Sequence, residues 1–246
     1  MATYIDRYRA GEHEQVWAEL TALSDAVRTE PLLSEAMAVA RETMAWARQN
    51  VELLIPRLEA IGYRFGFYEE GAPVPSYPGP LVPPPPDITT QLDTLETAVG
   101  ALPLSLRAWY EAVGAVDFMG FHAQWRAIYP DPLVVNELEL EYRLDSYRDW
   151  REECDEEGEE EMGPYEYEFA PDFYHKANVS GGAPYGIALP CLTADATAEN
   201  EPHRTTFVDY LRICFQWGGF PGLDPNIAEV NSTQHIAYLT EGLLPL

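Results

Sequence analysis

Lysine is almost absent from this chain. Lys176 is the only one, and with 14 arginines the basic residues number 15 against 41 Asp and Glu. The resulting net charge of −26 and isoelectric point near 4.3 repel a phosphate backbone, so nucleic acid is excluded as an expected partner. Anionic membrane surfaces are excluded on the same ground. Cysteine is scarce too. Cys154, Cys191 and Cys214 are odd in number and lack CxxC spacing, which argues against a disulfide framework or a zinc ribbon and leaves reduced thiols in or near a core. No stretch approaches the roughly 18–20 uninterrupted apolar residues that span a bilayer. The opening MATYIDRYRAGEHEQVW has no basic segment ahead of an apolar run, so it does not read as a secretory signal, and a cytoplasmic protein is expected. Catalytic signatures are also missing: there is no GxSxG elbow and no HExxH, and the glycines at Ser180-Gly181-Gly182 have neither a P-loop ending nor GxGxxG spacing. A binding protein rather than an enzyme is expected, without cofactor or metal.

What is present is enough for a folded core. The 246 residues are 46% apolar, which fits one large domain or two unequal ones. Residues 1–68 carry 10 acidic and 7 basic residues and are rich in good helix formers. Met37, Ala40, Met44, Ala47, Val51, Leu54, Leu58 and Ile61 recur at steps of three and four, which predicts one helix with an apolar face. Ser34 is its expected N-cap and Gly62 its stop, and Pro56 predicts a kink or break near Ile55. A shorter helix with Val16, Trp17, Leu20, Leu23 and Val27 inward precedes it, so an antiparallel helical hairpin is expected over 1–68. Tyr63 to Tyr68 alternates like a strand.

Residues 69–88 hold eight of the 21 prolines between Pro73 and Pro86 and read as a stiff linker. PSYP and PLVP also fit the PxxP pattern of proline-recognising domains. The second unit, 89–246, opens with helical character at Thr89–Val99 and Leu102–Tyr110, the latter with Pro103 suited to a first turn. Strands are expected at Gly114–Phe118, Leu133–Val135 and Tyr185–Leu189, and a helix over Phe207–Trp217 closed by Gly218-Gly219. Ile236, Tyr238 and Leu239 are expected to order the tail.

The segment LETAVGALPLSLRAWYEAVGAVDFMG runs from one helix through Leu102-Pro103 into a second with an aromatic pair, then meets Gly114 and a strand. At Leu95, Leu102, Pro103, Trp109, Tyr110 and Gly114 it resembles the opening of the SUKH superfamily, which includes yeast cell-wall regulators and many bacterial immunity proteins. DPLVV, PYGIAL and FVDYLR follow in order, so the resemblance spans roughly 92–222; the residues after Tyr142 and the N-terminal unit lie outside it. The resemblance implies an α+β fold with a curved, mostly antiparallel sheet flanked by helices. It implies binding rather than catalysis, and it carries over no catalytic residue. Many bacterial members neutralise toxins.

Residues 137–168 are an acidic insertion, with 15 acidic and three basic residues. The densest run, Glu152-Glu153-Cys154-Asp155-Glu156-Glu157-Gly158-Glu159-Glu160-Glu161, is expected to be an exposed, mobile loop. Either the run is simply solvated or its carboxylates, with Trp150, Tyr165 and Tyr167 beside them, form a surface for a basic protein such as a nuclease toxin, which long-range attraction would draw in. The aromatics fit equally the base of a loop pinned to the core. A calcium site needs the D-x-[DN]-x-[DN]-G spacing, which DEEGEEE lacks. Two chemical alternatives remain. Asp172 and His175, three apart, could form an acid–base pair for a hydrolase. Cys191 and Cys214 with His175 or His203 could bind zinc. A regulatory scaffold without a toxin partner is the third reading, suggested by the helical unit and the proline segment.

Overall fold

The computed structural model describes residues 2–125, 129–157, 162–226 and 235–246. About half of the chain is helical and strands are few, an α+β fold. The chain starts with α1 (Tyr4–Arg9), whose N-terminus is closed reciprocally by Thr3 and Asp6. α2 (His13–Ala22) and the long α3 (Leu32–Ala60) follow. Trp17 ties α2 to α3 by donating from Nε1 to the Thr43 hydroxyl at 3.1 Å.

Gly62, at a φ of +91°, stops α3 as expected just after the cap Ile61, but the helix departs from expectation at its start and in the middle. It begins two residues before Ser34, with Pro31 as cap. Pro31 offers no side-chain acceptor, and the Glu30 carboxylate ahead of it accepts from the Ser34 amide at 3.3 Å and the Ser34 hydroxyl at 2.8 Å. Pro56 lies inside the helix and does not break it. The proline is exposed, so the carbonyl it leaves without a donor meets water, while Val51, Leu54 and Leu58 on the opposite side are fully buried and hold both halves on the core.

The YRFGFY stretch is split by Gly66 into β1 (Arg64–Phe65) and β2 (Phe67–Glu69). Gly66 has a φ of +73°, and a Cβ there would collide with the Tyr77 ring. The proline segment is no mere spacer. It contributes β3 (Ala72–Pro73), paired with β2, and β4 (Leu81–Val82), paired with β5 (Ala115–Asp117). Short strands are enough because Tyr77 also donates from its hydroxyl to the Asp117 carbonyl at 2.6 Å.

Helices α4 (Ile88–Val99) and α5 (Leu104–Ala112) fall where the sequence predicts them, with Pro103 as the cap of α5. Gly114 follows at a φ of +90°, packed so closely on Val82 and Pro83 that any side chain would clash. β6 (Gly120–Phe121) pairs with β1, and β7 (Val134–Val135) pairs with β5. β8 (Tyr165–Ala170) and β9 (Tyr185–Leu189) form a hairpin-like pair. Among the described residues every strand pair is antiparallel, and the strands gather in four small sheets. α7 (Phe173–Lys176), α8 (Phe207–Gln216) and α9 (Ile236–Thr240) complete the described elements.

Residues 137–168 contain α6, an 18-residue helix from Leu140 to Glu157. It takes in Glu152 to Glu157 of the acidic run expected to form a loop; the rest of that run, 158–161, lies outside the described residues. The inward residues of α6 explain the helix. Leu140, Leu144, Tyr147, Trp150 and Cys154 recur at steps of four and three and pack against the core, so an apolar edge survives beneath the charges. Tyr147 stacks on Trp150 at 5.5 Å, and both meet Tyr165 of β8 edge-on or tilted, at 5.1 and 5.7 Å.

A single apolar cluster runs from Tyr8 to Leu246 and joins the N-terminal helices to the rest. α3 packs along α5. Arg28 reaches across to donate to the carbonyls of Leu102, Cys191 and Leu192.

Candidate functional site

The acidic residues of α6 are sorted by the helix itself. Glu141, Asp145, Asp149, Glu152 and Glu156 stand at steps of four, four, three and four, and all are exposed. They therefore form one stripe down the outward side, about 22 Å long at 1.5 Å per residue. Glu153 and Asp155 flank it, also exposed. Two arginines temper the field only locally. Arg148 pairs with Asp145 at 3.0 Å and Arg151 with Asp155 at 4.0 Å. The last turn holds no basic residue, so its carboxylates sit at the negative end of the helix dipole.

β8 extends the negative surface. Its alternation turns Tyr165, Tyr167 and Phe169 inward and Glu166 and Glu168 outward. Burial, with Glu199 and Glu168 close by, raises the Glu166 carboxyl above its ordinary value. Asn200 donates to Glu166 from Nδ2 at 2.9 Å.

The structure thus divides the sequence-predicted binding residues. Glu152, Glu153, Asp155 and Glu156 are on the outward side of α6. Glu157 ends the helix, and its side chain, with Glu159, Glu160 and Glu161, lies outside the described residues. Trp150 is half-buried. Tyr165 and Tyr167 are 4% and 0% exposed, so neither offers contact area to a partner; they hold α6 to the sheet. The exposed aromatic beside the stripe is Tyr142, at 55%. Glu141, Asp145 and Asp149, which complete the stripe, escaped the sequence reading because the densest acid run drew attention away from the helical period upstream of it.

A second constellation involves Asp172 and His175. Asp172 caps α7, accepting from the Tyr174 amide at 2.8 Å and the His175 amide at 3.4 Å. Its other oxygen contacts His175 Nδ1. The carboxylate is buried while the imidazole side chain is 53% exposed, on a cleft that Ser180, Asn178 and Glu168 also line. Pro171 does not prevent the helical turn, because it lies before the cap.

The lone lysine is buried as well. Lys176 donates from Nζ to Asp131 at 2.6 Å, and Tyr185 donates to the other Asp131 oxygen at 3.0 Å. The proposed zinc ligands are not assembled: among the described residues no group of three or more His, Cys, Asp or Glu is placed to hold a metal ion. Cys214 is fully enclosed, and burial drives its thiol well above the ordinary value. Among the described residues no helix is long and apolar enough to cross a membrane.

Compared with known proteins, the chain matches no family model, no curated protein and no solved structure.

Proposed function

We propose that this chain is a cytoplasmic protein-binding module of the SUKH type, an immunity protein that neutralises a basic, nuclease-like effector by occluding it. The observation that carries the reading is the stripe Glu141, Asp145, Asp149, Glu152 and Glu156 on a helix anchored to the core by aromatics. A fixed row of carboxylates meets a cationic surface without the ordering cost that a loop would carry. Its charge speeds encounter and selects orientation, and Tyr142 supplies apolar contact beside it. Capture from native lysate, run in parallel on the wild type and on a variant with all five stripe residues changed to Gln or Asn, tests this. The wild type retains one basic protein stoichiometrically, weakened by salt, and the variant loses it. Equal retention by both, or retention indifferent to salt, removes α6 from the mechanism.

A hydrolase is the second reading, favoured by the buried Asp172 that orients the exposed His175 on a cleft. A buried carboxylate holding Nδ1 leaves Nε2 to take a proton. Turnover of an ester or amide panel by the wild type and its loss in His175→Ala supports this reading; turnover surviving His175→Ala eliminates it.

A further inference from the structure

We propose that the cleft between the proline segment and the start of α6 binds a basic α-amino acid, with the ligand carboxylate on Arg143. The decisive residue is Arg143 itself. It is 4% exposed, yet its Nε has no hydrogen-bond partner. Its guanidinium lies 4.6 Å from the Tyr167 ring centroid and 5.4 Å from that of Tyr142. Tyr110 and Tyr165 also stand near it, and among the described residues no carboxylate forms a salt bridge with it. Other enclosed cations of this chain are treated differently. Lys176 is paired with Asp131 at 2.6 Å, and Arg107 is held by Asp93 and Glu111 at 2.8 and 3.1 Å. A buried guanidinium packed on two aromatic rings, with its Nε unpartnered, offers a donor fork to an anion.

Arg143 lines a cavity of about 430 Å³, within the size range of small-molecule sites. Four carboxylates share its walls: Asp117, Glu137, Glu139 and Glu168. A simple anion is repelled by these, and a simple amine finds Arg143 against it. A molecule with one carboxylate and two positive groups satisfies both, the carboxylate taken bidentately by the arginine and the ammonium groups by the glutamates. Glu139 also has a φ of +42°, a left-handed conformation unusual for glutamate, at the turn that brings it to the cleft just ahead of α6. The inference does not depend on the effector-binding reading above.

The test is calorimetric titration of the full chain with L-arginine, L-lysine, agmatine (arginine without its carboxylate) and propionate. One saturable site for L-arginine or L-lysine is expected, with agmatine and propionate at least ~10-fold weaker. Arg143→Met should remove binding, and because that change also alters the core, Glu168→Gln on the exposed side of β8 is the second variant and should weaken binding at least ~3-fold with the circular dichroism unchanged. Absence of saturable heat with either amino acid at millimolar concentration overturns the proposal. Equal affinity for agmatine overturns it too, as does a peptide ending in arginine that binds where the free amino acid does not.

Discussion

Asp117→Asn is expected to stabilise the protein at neutral and alkaline pH and to do nothing at acid pH. Asp117 sits in β5, and burial pushes its carboxyl from 3.8 up to about 6, against the hydrogen bond from the Met119 amide and the more distant Lys176, which lower it. The folded state thus holds the proton more tightly than the unfolded chain does. Above about pH 6 the native protein carries this charge at its full cost, and the cost falls steadily from pH 6 towards 3.8 and is gone below that. At about 1.4 kcal/mol per pH unit, the difference is about 3 kcal/mol. Asparagine removes the charge and keeps the acceptor for the Met119 amide, which now bonds Oδ1 at 2.8 Å. Urea unfolding of both proteins at pH 8, 6, 5 and 4 reads the effect. The variant should gain about 2–3 kcal/mol at pH 8, nearly all of that still at pH 6, about half near pH 5 and about 0.5 kcal/mol at pH 4. A difference that stays constant with pH would refute the reasoning, because any packing change made by the amide contributes equally at every pH.

Two further outcomes follow from the buried and exposed charges. Lys176→Met strands Asp131 without its cation and should cost about 3–5 kcal/mol in urea unfolding; a loss below about 1 kcal/mol would mean that the pair contributes little beyond its hydrogen bond to Tyr185. Glu152→Gln with Glu156→Gln relieves an i,i+4 repulsion at the negative end of the α6 dipole and should add about 0.5–1 kcal/mol at low salt, fading in 0.5 M salt. Unchanged thermal melting at low salt would show that these charges are already well screened.

The periodic positions of α3, α4, α5 and α8 were legible in the sequence, since their apolar spacing is the packing itself. Where single residues argued against the pattern, packing prevailed. Pro56 is tolerated because its ring faces water, and Ser34 is not the cap because the chain turns earlier, at Pro31, with the Ser34 amide donating to Glu30. The acidic run misled for a related reason. Composition counts charges, whereas a helix sorts them by angle, and Leu140, Leu144, Tyr147, Trp150 and Cys154 were visible at helical spacing throughout. Of the candidate site, the acids of α6 could be found by residue type, but the inward turn of Tyr165 and Tyr167 depends on the register of β8 with β9. Arg143 could not be singled out, because its isolation depends on which residues the fold keeps away from it.

The placement of β4 has a consequence for how this chain behaves at high concentration. Leu81-Val82 is the outer strand of the three-stranded sheet, the position from which a second molecule would extend the ladder. Pro80 precedes it, and Pro83, Pro84, Pro85 and Pro86 follow, so an incoming strand finds at most one outward amide and then a row of nitrogens with nothing to donate. The proline segment therefore blunts this edge of the sheet against pairing with a second copy, and replacing Pro80 and Pro83 would open it.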